Sequence, residues 1–178
     1  MNITQTFYNN LATKYDKLFL DWQGTTREQA EILDKIFKSS GFDHTAKVLD
    51  CACGIGTQAI GIAALGYNVT ASDISDGELE QARQRAIENN VKICFKNADF
   101  RTLSTTFSKK FDIVIAMDNA LPHMLTKNDM EMAIKSITSQ MASGGMFVAS
   151  IRDYDALLLD KPPYSAPYIH KTEKGQRV

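Results

Sequence analysis

Residues 48–58, VLDCACGIGTQ, carry an apolar run into a turn holding two glycines, Gly54 and Gly56. Glycine lets a backbone approach a ligand closely, and the helix expected from Thr57 aims its free amides at the same place. Three acids stand at comparable positions. Asp50 ends the apolar run, where an unpaired carboxylate is costly, so it is expected to bond the glycine turn or a cationic ligand group. Asp73 ends the next such run, YNVTASD, placed to accept hydrogen bonds from two ribose hydroxyls or to cap the helix that follows. Asp99 ends a third, VKICFKNAD, where an acid can accept from an adenine amino group while Phe100 or Ile74 packs on the ring. The chemistry is recognition of a nucleoside. The spacing Gly54-x-Gly56-x-x-Ala59 also satisfies a loose dinucleotide fingerprint, and Asp73 suits NAD as well as any nucleoside.

The elements that must position these residues alternate. KVLDCA, YNVTASD, VKICFKNAD, FDIVIAMD and GMFVASIR read as strands. The fourth is nearly all apolar, as a parallel strand covered on both faces must be. TQAIGIAALG, SDGELEQARQRAIENN and TKNDMEMAIKSITSQMASGG read as helices, with Ser75 and Glu78 as a capping box and Thr126 as a cap. Ahead of them, Phe7, Leu11, Tyr15 and Leu18 space one amphipathic helix. A second helix is expected to start with Thr25 and Glu28, or Thr26 and Gln29, as its capping box and to stop at Gly41. The pattern predicts an α/β fold, doubly wound, with a mostly parallel sheet, helices on both faces and right-handed crossovers. Ligands of such sheets bind beyond the carboxyl ends of the strands, where the strand order reverses.

The 178 residues suffice for one domain with a core, and 44% hydrophobic with 23% charged is ordinary for a globular protein. A net charge of −1 offers no basic excess for nucleic acid. No apolar run is long enough to span a membrane and no signal peptide is visible, so a cytoplasmic protein is expected. Cys51, Cys53 and Cys94 are an odd count at spacings foreign to zinc sites, and are expected to be reduced thiols with no metal. Tyr8, Tyr15 and Trp22 are read as packing residues, any of which can roof a pocket.

Acids after three successive strands suit a ligand with ribose, adenine and a positive charge but no phosphate. S-adenosylmethionine is such a ligand. VLDCACGIGTQAI, VTASDIS, NADF and FDIVIAMDNALPHM resemble the successive motifs of class I S-adenosylmethionine-dependent methyltransferases. The form D-x-A-C-G-x-G-T is most similar to the glycine and glycine/sarcosine N-methyltransferases. The resemblance implies a Rossmann-like fold and cofactor contacts from Arg27, Asp50, Ala52, Gly54, Gly56, Asp73, Ile74, Asp99, Phe100 and Met117. Arg27 would reach the methionyl carboxylate. It also implies that Asn119 and His123, which keep an Asn-x-x-x-His spacing, serve catalysis, with Asn119 touching substrate, and that Arg152 of RDYD clamps a substrate carboxylate. Asp118, Pro122 and Phe100 depart from the family pattern.

The expected organisation is a single domain, with N-terminal helices over 1–41 covering the cofactor site, a core over 46–152 and a tail over 153–178. The tail reads as a loop with one short helical piece, and GQRV as the start of another strand. The family's sheet usually has seven strands and five are counted here, so the last two, an antiparallel hairpin, are expected to be missing. That leaves the fifth strand as an edge, to be covered by the tail or by a second copy. The expected activity is methyl transfer to the amine of a small molecule such as glycine or sarcosine. The alternatives are a cofactor-binding module without turnover and, more distantly, an NAD-dependent oxidoreductase.

Overall fold

Neighbouring residues of β1 (Lys47–Asp50) and β4 (Phe111–Ala116) point to opposite faces of one sheet, and both sets are buried. Val48, Ile113 and Ile115 enter one core; Leu49, Val114 and Ala116 enter another. The computed structural model describes residues 3–160, 170–172 and 175–177. In it β2 (Asn68–Asp73) and β3 (Cys94–Asn97) extend the sheet on one side and β5 (Met141–Ala149) on the other. The order is β3-β2-β1-β4-β5, with every pairing parallel. Helices α2 (Trp22–Ser39), α3 (Thr57–Ala64) and α4 (Asp76–Glu88) cover the first face through Leu33, Phe37, Ile62 and Leu79. Helix α5 (Lys127–Gln140) covers the other through Ile137. This is the doubly wound, Rossmann-like sheet that the alternation predicts. Its order reverses between β1 and β4, so the glycine turn after β1 stands at the switch point.

Two caps form at the expected residues. The Ser75 hydroxyl accepts from the Glu78 amide and the Thr126 hydroxyl from the Asp129 amide. The Ser75 box is one-sided, because its own amide donates to Asp73 and leaves the Glu78 side chain elsewhere. Helix α2 differs from expectation. It starts at Trp22, capped by Asp21, whose carboxylate accepts from the Gly24 amide at 2.9 Å, so Thr25 and Thr26 lie inside the helix. The first amphipathic segment also divides. Helix α1 (Ile3–Leu11) is followed by 3₁₀ turns over Ala12–Leu18. Residues three apart eclipse in a 3₁₀ helix, which sets Tyr15 and Leu18 on one side. Strand β5 begins earlier than read, at Met141, and its register shifts opposite Asp112, between the pairs Phe111–Met141 and Ile113–Met146.

Beyond β5 the tail holds the expected short helix, α6 (Tyr154–Asp160), and an antiparallel hairpin of β6 (His170–Thr172) and β7 (Gly175–Arg177), in which Gly175–Arg177 realises the strand expected from GQRV. The hairpin is a separate sheet, so β5 is the edge of the five-stranded one. The rest of the tail, 161–169, 173, 174 and 178, lies outside the described residues. Cys51, Cys53 and Cys94 are free thiols. No helix among the described residues is long and apolar enough to cross a membrane.

Helices α2 and α3 touch through Gly61. A Cβ there meets the Thr26 carbonyl oxygen at 2.6 Å and Ala30 Cβ at 2.7 Å. Gly61→Ala gains about 1 kcal/mol of helix propensity, but prising packed helices apart costs about 1–3 kcal/mol. A net loss of about 1 kcal/mol is expected as a lower urea midpoint. An unchanged or higher midpoint would mean that α2 yields freely.

Candidate functional site

A cleft opens beyond the carboxyl ends of β1, β2 and β4. Its floor is the glycine turn. Gly54 and Gly56 take φ of +51° and +91°, and a Cβ on Gly56 meets Ile60 Cδ1 at 2.9 Å, so both backbone shape and space demand glycine. Asp73 locks this turn to β2. One carboxylate oxygen accepts from the Gly54 amide and the other from the Ser75 amide, each at 2.9 Å. Burial pushes the Asp73 carboxyl up, and these two amides oppose the shift.

Asp50 sits beneath the turn and does not reach the cleft. It is 0% exposed, takes a long contact from the Ala52 amide at 3.4 Å, and its Oδ2 has no hydrogen-bond partner among the described residues. Burial pushes its pKa up to about 8, with the nearby Asp73 and Asp118 adding to the shift. It therefore supports the glycine turn rather than facing a ligand. Gly56 likewise shapes the turn without lining the cleft, while Ala52, Gly54, Asp73, Ile74, Asp99, Phe100 and Met117 all line it.

Arg27 departs most from expectation. It is exposed on α2 and lines neither cavity of the site. The turn of α2 that faces inward there presents Thr26, which is buried. Asp99 lines the cleft but is engaged: Arg101 grips its carboxylate, with the shortest contact 2.6 Å, and reaches Asp129 at 2.7 Å. These two acids raise the Arg101 guanidinium further above its usual range.

The roof comes from α1. Thr4 and Tyr8 line the cleft, and Tyr15 follows from the 3₁₀ turns. Hydrogen bonds from three of its residues fasten the helix. Gln5 Nε2 donates to the Ile74 carbonyl at 2.9 Å, Asn9 Oδ1 accepts from the Ser75 hydroxyl and the Gly77 amide, and the Tyr8 hydroxyl shares a 2.8 Å hydrogen bond with His123 Nε2. Burial raises the phenols of Tyr8 and Tyr15, and both stay neutral. The third residue read as packing, Trp22, donates to the Thr57 hydroxyl at 3.0 Å and stands outside the cleft.

A second cavity adjoins the first. Tyr15 and Asp118 line both, and the second adds Leu18, Phe19, Asn119, Ser150, Ile151 and Arg152. The structure thus divides the expected catalytic pair: His123 is in the first cavity and Asn119 in the second. Asp118 and Asn119 take φ of +50° and +69°, a left-handed pair that costs free energy in residues other than glycine. Ser150 holds them there, its hydroxyl accepting from the Asp118 amide and its carbonyl from the Asn119 amide. Asn119 Oδ1 accepts from the Arg152 amide at 3.2 Å, and Nδ2 donates to the Tyr154 hydroxyl at 2.7 Å.

Sequence reasoning missed three polar residues of the first cavity. Glu78 was read only as a helix cap. Gln58, on α3, donates to Asp118 at 2.8 Å and to Gln29 at 2.5 Å, steadying the strained pair. Arg101 neutralises Asp99. The signal for Glu78 and Gln58 was available, since each is a long polar residue on the sheet-facing side of its helix.

The methyltransferase-domain family model matches residues 48–145. The chain is 24% identical over 152 residues to a glycine/sarcosine N-methyltransferase of Aphanothece halophytica, covering 85% of this chain and 56% of that protein. It is 30% identical over 125 residues to the glycine N-methyltransferase of Homo sapiens, covering 63% and 42%. It therefore spans about half the length of the curated relatives it matches. The crystal structure of an S-adenosylmethionine-dependent methyltransferase from Clostridium acetobutylicum superposes with a TM-score of 0.72 at 20% identity, covering 94% of this chain and 65% of that one, a likeness of fold. Because the matched segment runs from β1 through the glycine turn, Asp73 and Asp99 to β4 and α5, the chain belongs to the methyltransferase-domain family, among the class I S-adenosylmethionine-dependent methyltransferases.

Proposed function

We propose that this chain transfers the methyl group of S-adenosylmethionine to the amine of a small molecule, an amino acid such as glycine or sarcosine. The observation that carries the reading is the meeting of two unlike cavities at Tyr15 and Asp118. The first suits the cofactor. Asp73, Glu78, Asp99 and Asp118 line it against Arg101 and His123, and Arg101 is already held by two acids. A phosphate would find no available guanidinium or ammonium there among the described residues. A cationic ligand with ribose hydroxyls finds Asp73 for the hydroxyls, Ile74 and Phe100 for the faces of a base, and the Gly54 backbone for a close approach. The second cavity suits an amino acid, with Arg152 for a carboxylate and Asn119 for polar contact. The relatives named for glycine and sarcosine favour that acceptor.

The bound cofactor supplies a methyl group on a positively charged sulfur that leaves readily. The chain's own task is to hold two reactants in line at near-attack distance, and the shared wall of the cavities does that. A bidentate grip by Arg152 would orient the carboxylate. The amine must shed a proton before attack. His123 takes that proton through water, while the neutral Tyr8 phenol donates to Nε2 whenever that nitrogen is unprotonated.

The test is methyl transfer to glycine and sarcosine, with binding measured in parallel. Arg152→Ala is expected to raise KM for the amino acid about tenfold, the scale of one charged hydrogen bond, and to leave S-adenosylhomocysteine binding unchanged. Binding without transfer to either acceptor would favour a module that does not turn over. Equal activity of the variant would remove Arg152 from the site.

A further inference from the structure

Glu78 is a buried acid in the first cavity that the proposed mechanism does not use. It is 2% exposed, it lines the cleft, and its Oε1 has no hydrogen-bond partner among the described residues. Its Oε2 lies over the glycine turn, 3.3 Å from where a Cβ on Gly54 would stand. The Gly54 amide is also the donor to Asp73, so two acids converge on one glycine. The groups that face Glu78 from the packed elements are Asp73 at the end of β2, Cys53 before the turn, Tyr8 on α1 and Tyr15 on the 3₁₀ turns. None of them is cationic, and of the basic residues that line the same cleft Arg101 is held by Asp99 and Asp129 and His123 is hydrogen-bonded to Tyr8. An unpaired carboxyl in such a place carries a free-energy cost that folding alone does not repay. A positive ligand in the same cleft would repay it.

We propose that Glu78 reads the charge of the ligand, favouring the cationic sulfonium of S-adenosylmethionine over the neutral thioether of S-adenosylhomocysteine. This rests on the cofactor reading above. Once the amine has passed its proton through water to His123, transfer breaks the sulfur–methyl bond and forms the nitrogen–methyl bond, so the sulfur loses its charge. A carboxylate that attracts the substrate form then releases the product form more readily. Burial and the neighbouring Asp73 push the Glu78 carboxyl up to about 8, so the empty cleft holds it mostly protonated at neutral pH. Binding the cation lowers its pKa, favours the carboxylate and expels the proton to buffer. The preference for the sulfonium ligand must therefore grow as pH rises. The amino and carboxylate groups common to both ligands drop out of the ratio.

Calorimetric titration of the folded chain with each ligand, at pH 6 and pH 8, tests this without any turnover. The ratio of S-adenosylmethionine to S-adenosylhomocysteine affinity is expected to rise about tenfold between the two pH values. At pH 7 the sulfonium ligand should release protons in a comparison of buffers with different ionisation heats, and the thioether should release fewer. Glu78→Gln keeps the side-chain shape and the backbone amide that Ser75 caps. It is expected to flatten the ratio and abolish the difference in proton release. A variant that binds both ligands with the wild-type ratio at both pH values would overturn the proposal. So would a variant that weakens both ligands equally, because Glu78 would then hold a part they share. A wild-type chain that binds neither ligand would instead sink the cofactor reading itself.

Discussion

Replacing Asp73 with alanine is expected to weaken binding of both S-adenosylmethionine and S-adenosylhomocysteine by about 1.5–3 kcal/mol, roughly ten- to a hundredfold. The side chain has two tasks. Its oxygens accept the Gly54 and Ser75 amides, which fix the glycine turn against the start of α4. A carboxylate has acceptor capacity beyond these two bonds, and the residue lines the cleft, so ribose hydroxyls would use what remains. Loss of the carboxylate leaves two backbone donors and two ligand hydroxyls unpaired together. Some of the effect will appear as lower stability, so binding must be measured well below the melting temperature of the variant. Asp73→Asn separates the tasks. It keeps one acceptor oxygen but turns an amide nitrogen toward a backbone donor. It should therefore bind poorly although it is nearly isosteric. Wild-type affinity in either variant would show that the acid serves the turn alone.

Asp73 was legible in the sequence because its cue is local: an acid at the end of an apolar strand, followed by a helix cap. The glycine turn and the alternation of strand and helix were legible for the same reason. Strand periodicity reports which residues are buried, and β1 and β4 are buried on both faces. What the sequence hid depends on distance across the fold. Arg27 and Thr26 are neighbours in the chain, and only the rotation of α2 decides that the threonine is buried and the arginine exposed. That rotation follows from the Asp21 cap and the close approach at Gly61, neither of which a periodic pattern reveals. Asp99 was placed correctly near the cleft, but its availability was misjudged. Arg101, two residues on, and Asp129, on a different helix, close a network that spacing alone does not show. Tyr8 and Tyr15 were read as packing residues able to roof a pocket, because aromatic spacing on a helix looks the same whether the face meets a core or a cleft.

Stability against urea should fall as pH rises from 5 to 8, and Asp50→Asn should remove much of that slope. An unfolded aspartate titrates near 3.8, whereas burial holds folded Asp50 at about 8. Between those values the folded chain keeps a proton that the unfolded chain gives up. The unfolded state therefore binds fewer protons, and unfolding becomes easier with each step up in pH, by about 1.4 kcal/mol per unit for one such group. The stability is fully present below about pH 4 and lost as pH rises through the folded pKa, after which the slope ends. By neutral pH the accumulated difference is on the order of 4 kcal/mol. Glu78 and Asp73 are shifted in the same direction and add to the trend, so the wild-type slope exceeds that of Asp50 alone. Asparagine in place of Asp50 needs no proton to be neutral, and its oxygen can still face the Ala52 amide. The variant should already exceed wild type modestly at pH 5 and do so increasingly toward pH 8. Urea midpoints at pH 5, 6, 7 and 8 for both chains decide the matter. Parallel curves would mean that Asp50 is ionised in the folded protein and finds a partner for its Oδ2, which would make it a direct electrostatic contributor to the glycine turn rather than a neutral acid buried beneath it.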